Sequence, residues 1–307
     1  MRTHRLIAFL AGLGLLAATA MPGRAEPLAK VSVSYSFTSD FLPVFVAKDT
    51  GIFEKHGLDV TLANLATTSL APPALQAGSL HIASLSPALL LLANDGGLDL
   101  VAVANVGWLD KRSPHSSLLT RNGFTATTAQ DFIGKRIGRP GINSAIDVLL
   151  KKWFLDHGVK LDQVTIVETP FNQMADLLRA GQVDAVVALE PIMSRIVASG
   201  AGVKSIDFIS EVNPHITAAI FGSTRDWATA NRAQVKAFRD SMTEAMAFME
   251  SNPKETDEIE QKRLGFILKP TDLGLDLVPT DFDFWIDALR QLKLLQQPAD
   301  ATKLIFN

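Results

Sequence analysis

The sequence predicts an α/β protein made of two similar lobes, and three features of the chain support this. In "KDTGIFEKHGLDVTLANL", residues 48–65, a helix ends at a glycine, one further turn closes at a second glycine, and an alternating strand begins. A similar strand, loop, helix, glycine and strand return within residues 137–167. The segment "LQAGSLHIASLSP" at 75–87 also resembles "LRAGQVDAVVALEP" at 178–191. With 307 residues, of which 47% are hydrophobic, the chain is long enough for two sizeable cores.

The first lobe is predicted to open with a β-α-β unit. Residues 31–35 alternate as a strand, and residues 41–50 have the pattern of a helix. Gly51 suits the left-handed position that ends such a helix, and Gly57 closes the extra turn that follows. Residues 58–62 then alternate as the second strand.

The second lobe is predicted to repeat this arrangement. A strand ends at residues 137–140 and is followed by the loop 141–144. Residues 145–157 have helical periodicity, Gly158 ends that helix, and residues 164–167 form the next strand. Chance similarity between two common β-α units is the alternative to a true two-lobe construction.

The N-terminus has the pattern of a secretory signal. Two arginines precede the apolar run 6–16, which is too short to span a membrane. We expect cleavage after Ala25, with Ala20 as the weaker alternative, so that the mature protein begins at Glu26. The other interpretation is an uncleaved anchor. The absence of a twin-arginine pair favours the general secretory route.

Charge and cysteine content narrow the functional classes. Residues 1–25 contain three arginines and no acidic residue, so their removal lowers the formal net charge from −3 to −6. The sequence has no basic stripe for nucleic acid and no second apolar segment for a membrane. Because it has no cysteine, we expect neither disulfides nor a lipid anchor. These features predict a periplasmic protein that is released in soluble form as a monomer.

The sequence offers little support for catalysis. It has no cysteine nucleophile, no G-x-S-x-G elbow and no G-x-G-x-x-G after a strand. Its six histidines include no pair four residues apart, which is the usual spacing of a helical metal site. We therefore expect a protein that is not an enzyme, with no catalytic residue, no cofactor and no metal.

Four segments together resemble a known family. They are "AKDTGIFEKHGLDVTL", "ALQAGSLHIAS", "DFIGKRIGRPGINSA" and "LLRAGQVDAVVALEP". In this order they resemble the nitrate/sulfonate/taurine-type periplasmic substrate-binding proteins of ABC importers. That family also includes binders of the thiamine pyrimidine precursor. The resemblance extends over roughly residues 30–250, and each segment alone would be a weak signal.

The resemblance implies the type II periplasmic binding protein fold. Each lobe is then a mixed sheet flanked by helices, and two crossing strands join the lobes. Lobe one comprises residues 28–114 plus 216–307, and lobe two comprises residues 115–215. The crossing segments are expected at 115–119 and 215–219. The lobes are expected to have separate cores and to close on ligand as rigid bodies.

The resemblance also implies a function and a partner. A protein of this family delivers a small solute to an ABC permease in the inner membrane, and its late helices, such as 234–249, pack on lobe one. A periplasmic sensor for a membrane receptor shares the fold and is the alternative from another class. The remaining alternative is the family's pyrimidine-synthase branch, but that branch uses a cysteine-rich motif that is absent here.

The candidate binding residues lie where predicted strands end, because ligands collect at the carboxyl ends of strands in open α/β sheets. Small polar residues dominate these positions. The candidates are Phe37, Thr38, Ser39, Asp40, Thr67, Thr68, Ser86, Asn143 and Ser144. For each polar residue among them, an ordinary helix cap is the alternative interpretation.

Four further candidates concern the charge and shape of the ligand. Arg139 ends a strand, where its guanidinium could hold a carboxylate or sulfonate, or pair with a surface acid. Glu190 holds the equivalent place on another strand and would suit an amine, or cap a helix. Trp108, expected just after the strand 100–104, offers a stacking wall or hinge packing, and His215 lies in a crossing segment.

The preferred ligand is a small organic anion, a sulfonate or carboxylate with an aromatic body as an option, and the alternative is an aminopyrimidine.

Overall fold

The computed structural model of the protein describes residues 27–65, 67–110, 116–212, 215–268 and 272–306. The signal-peptide prediction for residues 1–25 therefore lies outside the described residues, as does residue 115 of the first predicted crossing segment. The strands are β1 (Ala29–Tyr35), β2 (Leu58–Asn64), β3 (Ala83–Leu85), β4 (Leu100–Asp110), β5 (Ser116–Arg121), β6 (Arg136–Arg139), β7 (Thr165–Glu168), β8 (Ala185–Leu189), β9 (Gly202–Ile206) and β10 (His215–Thr224). The helices are α1 (Leu42–Asp49), α2 (Ile52–Lys55), α3 (Ala71–Gln76), α4 (Pro87–Asp95), α5 (Ala145–Asp156), α6 (Met174–Arg179), α7 (Ile192–Ala198), α8 (Phe208–Val212), α9 (Arg225–Ala230), α10 (Arg232–Ser251), α11 (Pro253–Leu264) and α12 (Asp283–Gln291).

The strands of the described residues form three sheets. Strands β1 and β2 pair in parallel, and β10 lies between β3 and β4 with antiparallel pairing on both sides. The largest sheet has the order β7-β6-β8-β5-β9 and consists of strands within residues 116–206. It is mixed, because β6 runs parallel to β7 and β8 while β5 is antiparallel to β8 and β9. We keep the predicted boundaries as names: lobe one for residues 28–114 and 216–307, and lobe two for residues 115–215.

The two predicted β-α-β units are present. In lobe one, β1 pairs with β2 from Ala29 opposite Leu58 onward, and the glycines Gly51 and Gly57 have φ angles of 77° and 79°. A side chain at such angles is strained, which is why glycine ends both turns. In lobe two, β6 pairs in parallel with β7, and Gly158, with a φ of 76°, follows the end of α5.

Strand β4 is longer than the sequence indicated. The predicted strand 100–104 continues to residue 110, because β10 pairs with it from Thr224 opposite Leu100 to His215 opposite Asp110. Trp108 therefore lies within a strand and not after one.

One apolar cluster runs through both lobes, so the expectation of separate cores is wrong. Leu90 of α4, Leu149 of α5 and Leu289 of α12 are fully buried in it. The cause is that α4 of lobe one and α5 of lobe two pack against each other and both pack against α12. Trp285 of α12, also fully buried, donates its Nε1–H to the carbonyl of Thr217 at 2.8 Å. The lobes are thus joined by packed side chains.

The long helix α10 packs on lobe one, as predicted for residues 234–249. It lies against α1 and α2, and its Phe238 contacts the rings of Phe53 and Phe221 at centroid distances of 6.2 and 4.9 Å. Within the described ranges, no helix combines the length and the apolar character needed to span a membrane.

Candidate functional site

A cavity of about 560 Å³ lies between the lobes. Its wall is formed largely by residues at or just after the carboxyl ends of strands in both lobes, which is where ligands collect in α/β sheets. The volume falls within the range of small-molecule sites in proteins. The geometry fits a molecule held between two walls, one from each lobe.

Lobe one contributes hydroxyl groups to the wall. Ser36 follows β1 and Ser84 lies in β3, and their Oγ atoms are 3.0 Å apart. The Oγ of Ser86 accepts a hydrogen bond from the backbone N–H of Leu89 at 3.0 Å and thereby caps α4. Thr67, whose Oγ1 is 2.8 Å from the Oγ of Ser69, lines the cavity from the loop after β2. This wall therefore combines hydrogen-bonding groups without a positive charge.

The apolar part of the cavity comes from both lobes. Aromatic and aliphatic side chains surround the space between the polar groups, and they would contact the body of a ligand. They include Phe37, Phe41, Leu65, Leu109, Ile146, Phe171, Leu189 and Ile192.

Arg195 of α7 is the one cavity-lining residue in the described chain that carries a positive charge. Its Nη2 donates to the carbonyl oxygen of Leu264 at 3.1 Å, and its guanidinium carbon lies 6.0 Å from the ring centre of Phe266. Arg195 belongs to lobe two, whereas Leu264 ends α11 in lobe one. Asp40 is the acidic residue on the wall and interacts with another group of the protein.

The lobes also approach each other closely at the loop that precedes α5. A Cβ atom on Gly141 would lie 3.0 Å from the Oγ1 of Thr68 and 3.7 Å from its backbone nitrogen. Next to this contact, the Oγ of Ser69 donates to Oε1 of Glu168 at 3.1 Å. Glycine thus allows the two loops to meet beside the cavity.

Seven of the thirteen residues proposed from the sequence lie on the cavity wall. They are Phe37, Thr38, Asp40, Thr67, Thr68, Ser86 and Ser144. Ser144 also caps α5, because its Oγ accepts from the backbone N–H of Asp147 at 3.3 Å.

Arg139 is turned into lobe two and is not among the lining residues. It is 6% exposed, and its Nε donates to Oδ1 of the fully buried Asp147 at 2.7 Å. The other carboxylate oxygen of Asp147 accepts from Lys151 Nζ and from the backbone N–H of Asn143, both at 2.7 Å. The backbone of Asn143 thus binds the same buried carboxylate and does not face the cavity. These contacts assign Arg139 to an internal ion cluster that holds the start of α5.

The remaining four candidates also lie off the wall. Glu190 accepts from the backbone N–H and the hydroxyl of Ser194, at 3.1 and 2.8 Å, and so caps α7. Ser39 is buried beneath its neighbours. Trp108 and His215 stack on each other at a centroid distance of 5.8 Å, in the antiparallel pair β4–β10.

Sequence reasoning missed the residue that brings positive charge to the cavity. A signal for Arg195 was present, because Ile192 and Arg195 are three residues apart on a helix that starts at a strand end, so they share a face. Its partner Leu264 is 69 residues away, and no local pattern reveals it. Ser36 and Asn64 were also missed, although both stand at ends of predicted strands. Within the part of the chain that the structure describes, no group of three potential ligands is placed to hold a metal ion.

Comparisons with known proteins agree with this architecture. The family described as "NMT1/THI5 like" matches residues 38–256. A protein of Brucella abortus (strain 2308) named as a binding protein is 28% identical over 220 residues, which cover 71% of this chain and 66% of that protein. The match therefore spans slightly less than two thirds of the relative's own length.

Two solved structures have the same overall fold. The alkanesulfonate-binding protein SsuA from Xanthomonas axonopodis pv. citri, bound to MOPS, has a TM-score of 0.77 at 18% identity, over 92% of this chain and 99% of that chain. The periplasmic nitrate-binding protein NrtA from Synechocystis PCC 6803 has a TM-score of 0.72 at 15% identity, over 89% and 84% of the two chains. The predicted periplasmic binding protein fold and the family resemblance are confirmed, and both structures are of binding proteins and not of enzymes.

Proposed function

The chain belongs to the NMT1/THI5-like family, and on that premise we propose that it is the solute-binding component of an ABC import system. It captures a small organic anion, a sulfonate or a carboxylate, between its lobes and delivers it to the permease. It acts in the periplasm as a monomer and without enzymatic activity. The observation that carries the ligand class is the guanidinium of Arg195 on the cavity wall.

The environment of Arg195 supports an anionic ligand. Its Nη2 donates to the carbonyl oxygen of Leu264, but its Nε and Nη1 donate to no acceptor in the described chain. A guanidinium presents its donors in a planar fork that suits carboxylate and sulfonate oxygens. In a closed cavity with little water, such a charge-assisted pair is stronger than on the surface. The apolar wall around Phe37 and Phe171 would cover an aliphatic or aromatic body.

An aminopyrimidine is the second candidate, and one observation favours it. Asp40 lines the cavity beside Phe37 and Phe41, so a carboxylate and two aromatic rings stand on the same wall. An exocyclic amine could donate to such a carboxylate while the ring contacts the aromatic side chains. Glu190, the acid predicted for this role, is instead directed at its own helix. A sensor function would use the same cavity and differs from import in its partner alone.

Calorimetric titration of the mature protein with a set of matched probes tests this proposal. The probes are butane-1-sulfonate, benzenesulfonate, pentanoate and 4-amino-5-hydroxymethyl-2-methylpyrimidine. We expect binding of at least one anion and no binding of the aminopyrimidine. Tight binding of the aminopyrimidine alone would reverse the order of the two candidates.

For the transport role, deletion of the gene should abolish uptake of the radiolabelled probe, whereas a sensor would leave uptake by the permease intact.

A further inference from the structure

We propose that Arg195 couples recognition of the ligand's anionic group to the closed arrangement of the lobes, because one guanidinium serves both contacts. The inference rests on the proposed function and adds a mechanism to it. Arg195 lines the cavity from lobe two while its Nη2 binds the Leu264 carbonyl of lobe one at 3.1 Å. No other lining side chain of the described residues combines a positive charge with a hydrogen bond to the opposite lobe.

The acceptor in lobe one is well suited to a cation. Leu264 is the last residue of α11, and Gly265 ends the helix in the left-handed conformation at a φ of 76°. The last carbonyls of a helix lack partners within it and carry the negative end of its dipole. The ring of Phe266, 6.0 Å from the guanidinium carbon, adds a weak attraction. Arg195 therefore meets a site that favours its charge.

The acceptor is also fixed in position. Asp49 at the end of α1 binds both Lys262, at 3.0 Å, and Arg263 in the last turn of α11. Burial alone would raise the pKa of Asp49, but hydrogen bonds from Arg263 and Lys262 outweigh it and hold the pKa below its ordinary value. The carboxylate is thus ionised at neutral pH and ties α11 to lobe one. A hydrogen bond from Arg195 to Leu264 consequently links lobe two to a fixed point of lobe one.

The coupling follows from sharing a side chain between two contacts. A free arginine loses rotamer freedom when it is fixed, and an anion in the cavity would already have fixed the guanidinium through Nε and Nη1. The contact to Leu264 then costs less, so ligand favours closure. By reciprocity, closed lobes raise the affinity for the anion by the same factor. Couplings of this kind typically lie between about 5-fold and 150-fold.

Two sets of variants separate this device from a simple ligand contact. Arg195→Met removes the charge from both contacts. Gly265→Ala crowds the contact from its lobe-one side and leaves the charge of Arg195 in place, since its Cβ would lie 3.0 Å from the Nη2 of Arg195. Gly158→Ala is the matched control, because Gly158 also follows a helix end at a φ of 76° and has no atom within 4 Å of the added Cβ. Both alanine variants therefore carry the same backbone strain, and they differ in the contact to Arg195.

The experiment measures butane-1-sulfonate affinity by calorimetry and the radius of gyration by small-angle scattering, with and without the probe. We expect the wild type to bind and to show a smaller radius when bound. Arg195→Met should lower the affinity by about thirtyfold or more. Gly265→Ala should lower it about five- to tenfold more than Gly158→Ala. Combined with Arg195→Met, Gly265→Ala should add nothing further, because the contact it disturbs is already lost.

Two results would overturn the inference. Equal affinities of Gly265→Ala and Gly158→Ala, with a normal loss for Arg195→Met, would make Arg195 a ligand contact without coupling and leave the proposed function in place. A wild type that binds neither butane-1-sulfonate nor the other anionic probes would remove the ligand class and the coupling together. Thermal unfolding of each variant shows whether it is folded. Arg195→Lys is a further comparison for the ligand contact, because it keeps the positive charge and should retain part of the affinity for butane-1-sulfonate.

Discussion

The segments 75–95 and 178–198 are built alike and yet contribute different chemistry to the cavity. Each passes from a helix to a glycine with positive φ, Gly78 at 70° and Gly181 at 65°, then to a buried strand and a helix introduced by proline. The first places hydroxyls on the wall, and the second places aliphatic side chains and Arg195 there. The comparison teaches that a repeated fold element fixes where a wall lies without fixing what it presents.

The difference arises from how each helix is capped. In the first segment Ser86 caps α4 and lines the cavity with the same side chain. In the second segment Glu190 caps α7 through Ser194, away from the wall, and the residue that reaches the cavity is Arg195, one turn further along. Lobe two uses its strand-end Arg139 internally, since the guanidinium pairs with the buried Asp147 of α5, which also binds Lys151. Lobe one therefore offers hydroxyls and the carboxylate of Asp40, and lobe two offers the positive charge of Arg195.

The largest expected effect tests whether Arg139 is structural. Arg139→Ala leaves the fully buried Asp147 without one of its two cationic partners, so we expect the free energy of unfolding to fall by about 3 kcal/mol in urea denaturation. Arg121→Ala is the control in the same sheet. Its pair with Asp184, at 3.1 Å, is partly exposed to water, and the loss should stay below about 1 kcal/mol.

Calorimetry distinguishes the two roles of Arg139. The affinity of Arg139→Ala for butane-1-sulfonate should match that of the wild type, provided the variant remains folded at the assay temperature. Unchanged stability together with a large loss of affinity would show that Arg139 reaches the ligand, as the sequence indicated, and that lobe two contributes two charges to the wall.

The fold could be predicted from the sequence because its signals are local. Gly51, Gly57 and Gly158 end helices or turns where no other residue fits as well, and alternating residues mark the strands between them. The length of β4 could not be read in this way, since its second half is specified by pairing with β10, more than a hundred positions along the chain. The shared core was missed for the same reason, because α12 meets α5 through contacts that are distant in sequence.

The site was partly predictable for a related reason. Strand ends locate the cavity, so Thr38, Thr67 and Ser144 were found from topology. Which strand-end charge faces the ligand depends on its partners. Arg139 binds Asp147, eight residues later on α5, and is thereby kept away from the cavity. Arg195 is held at the wall by its hydrogen bond to Leu264 from the other lobe. Charge alone cannot distinguish the two arginines.

A smaller effect is expected where the lobes touch at Gly141. In Gly141→Ala the added Cβ would lie 3.0 Å from the Oγ1 of Thr68, so the loops must separate or Thr68 must shift. We expect a cost of about 1–2 kcal/mol to closure, a five- to thirtyfold fall in affinity at most, and a larger radius of gyration with bound probe. Gly96→Ala is the control, because its Cβ meets backbone oxygens at 3.4 Å, an ordinary contact. An unchanged affinity for Gly141→Ala would mean that the lobes bind ligand without approaching this closely.

The smallest effects are expected from removing the helix caps of Ser86 and Glu190. Ser86→Ala removes the acceptor for the N–H of Leu89 and a hydroxyl of the cavity wall, so it should lower both stability, by about 1 kcal/mol, and affinity for butane-1-sulfonate. Glu190→Ala removes the cap on Ser194, which is partly exposed to water, so we expect a loss of about 0.5 kcal/mol and no change in affinity. Urea denaturation and calorimetry measure the two quantities separately. If Glu190→Ala weakened binding while Ser86→Ala did not, the assignment of the wall hydroxyls to lobe one and of the positive charge to lobe two would be wrong. An affinity gain in Glu190→Ala would instead place this carboxylate close enough to repel the anion, and the cavity would extend further along α7 than its lining residues indicate.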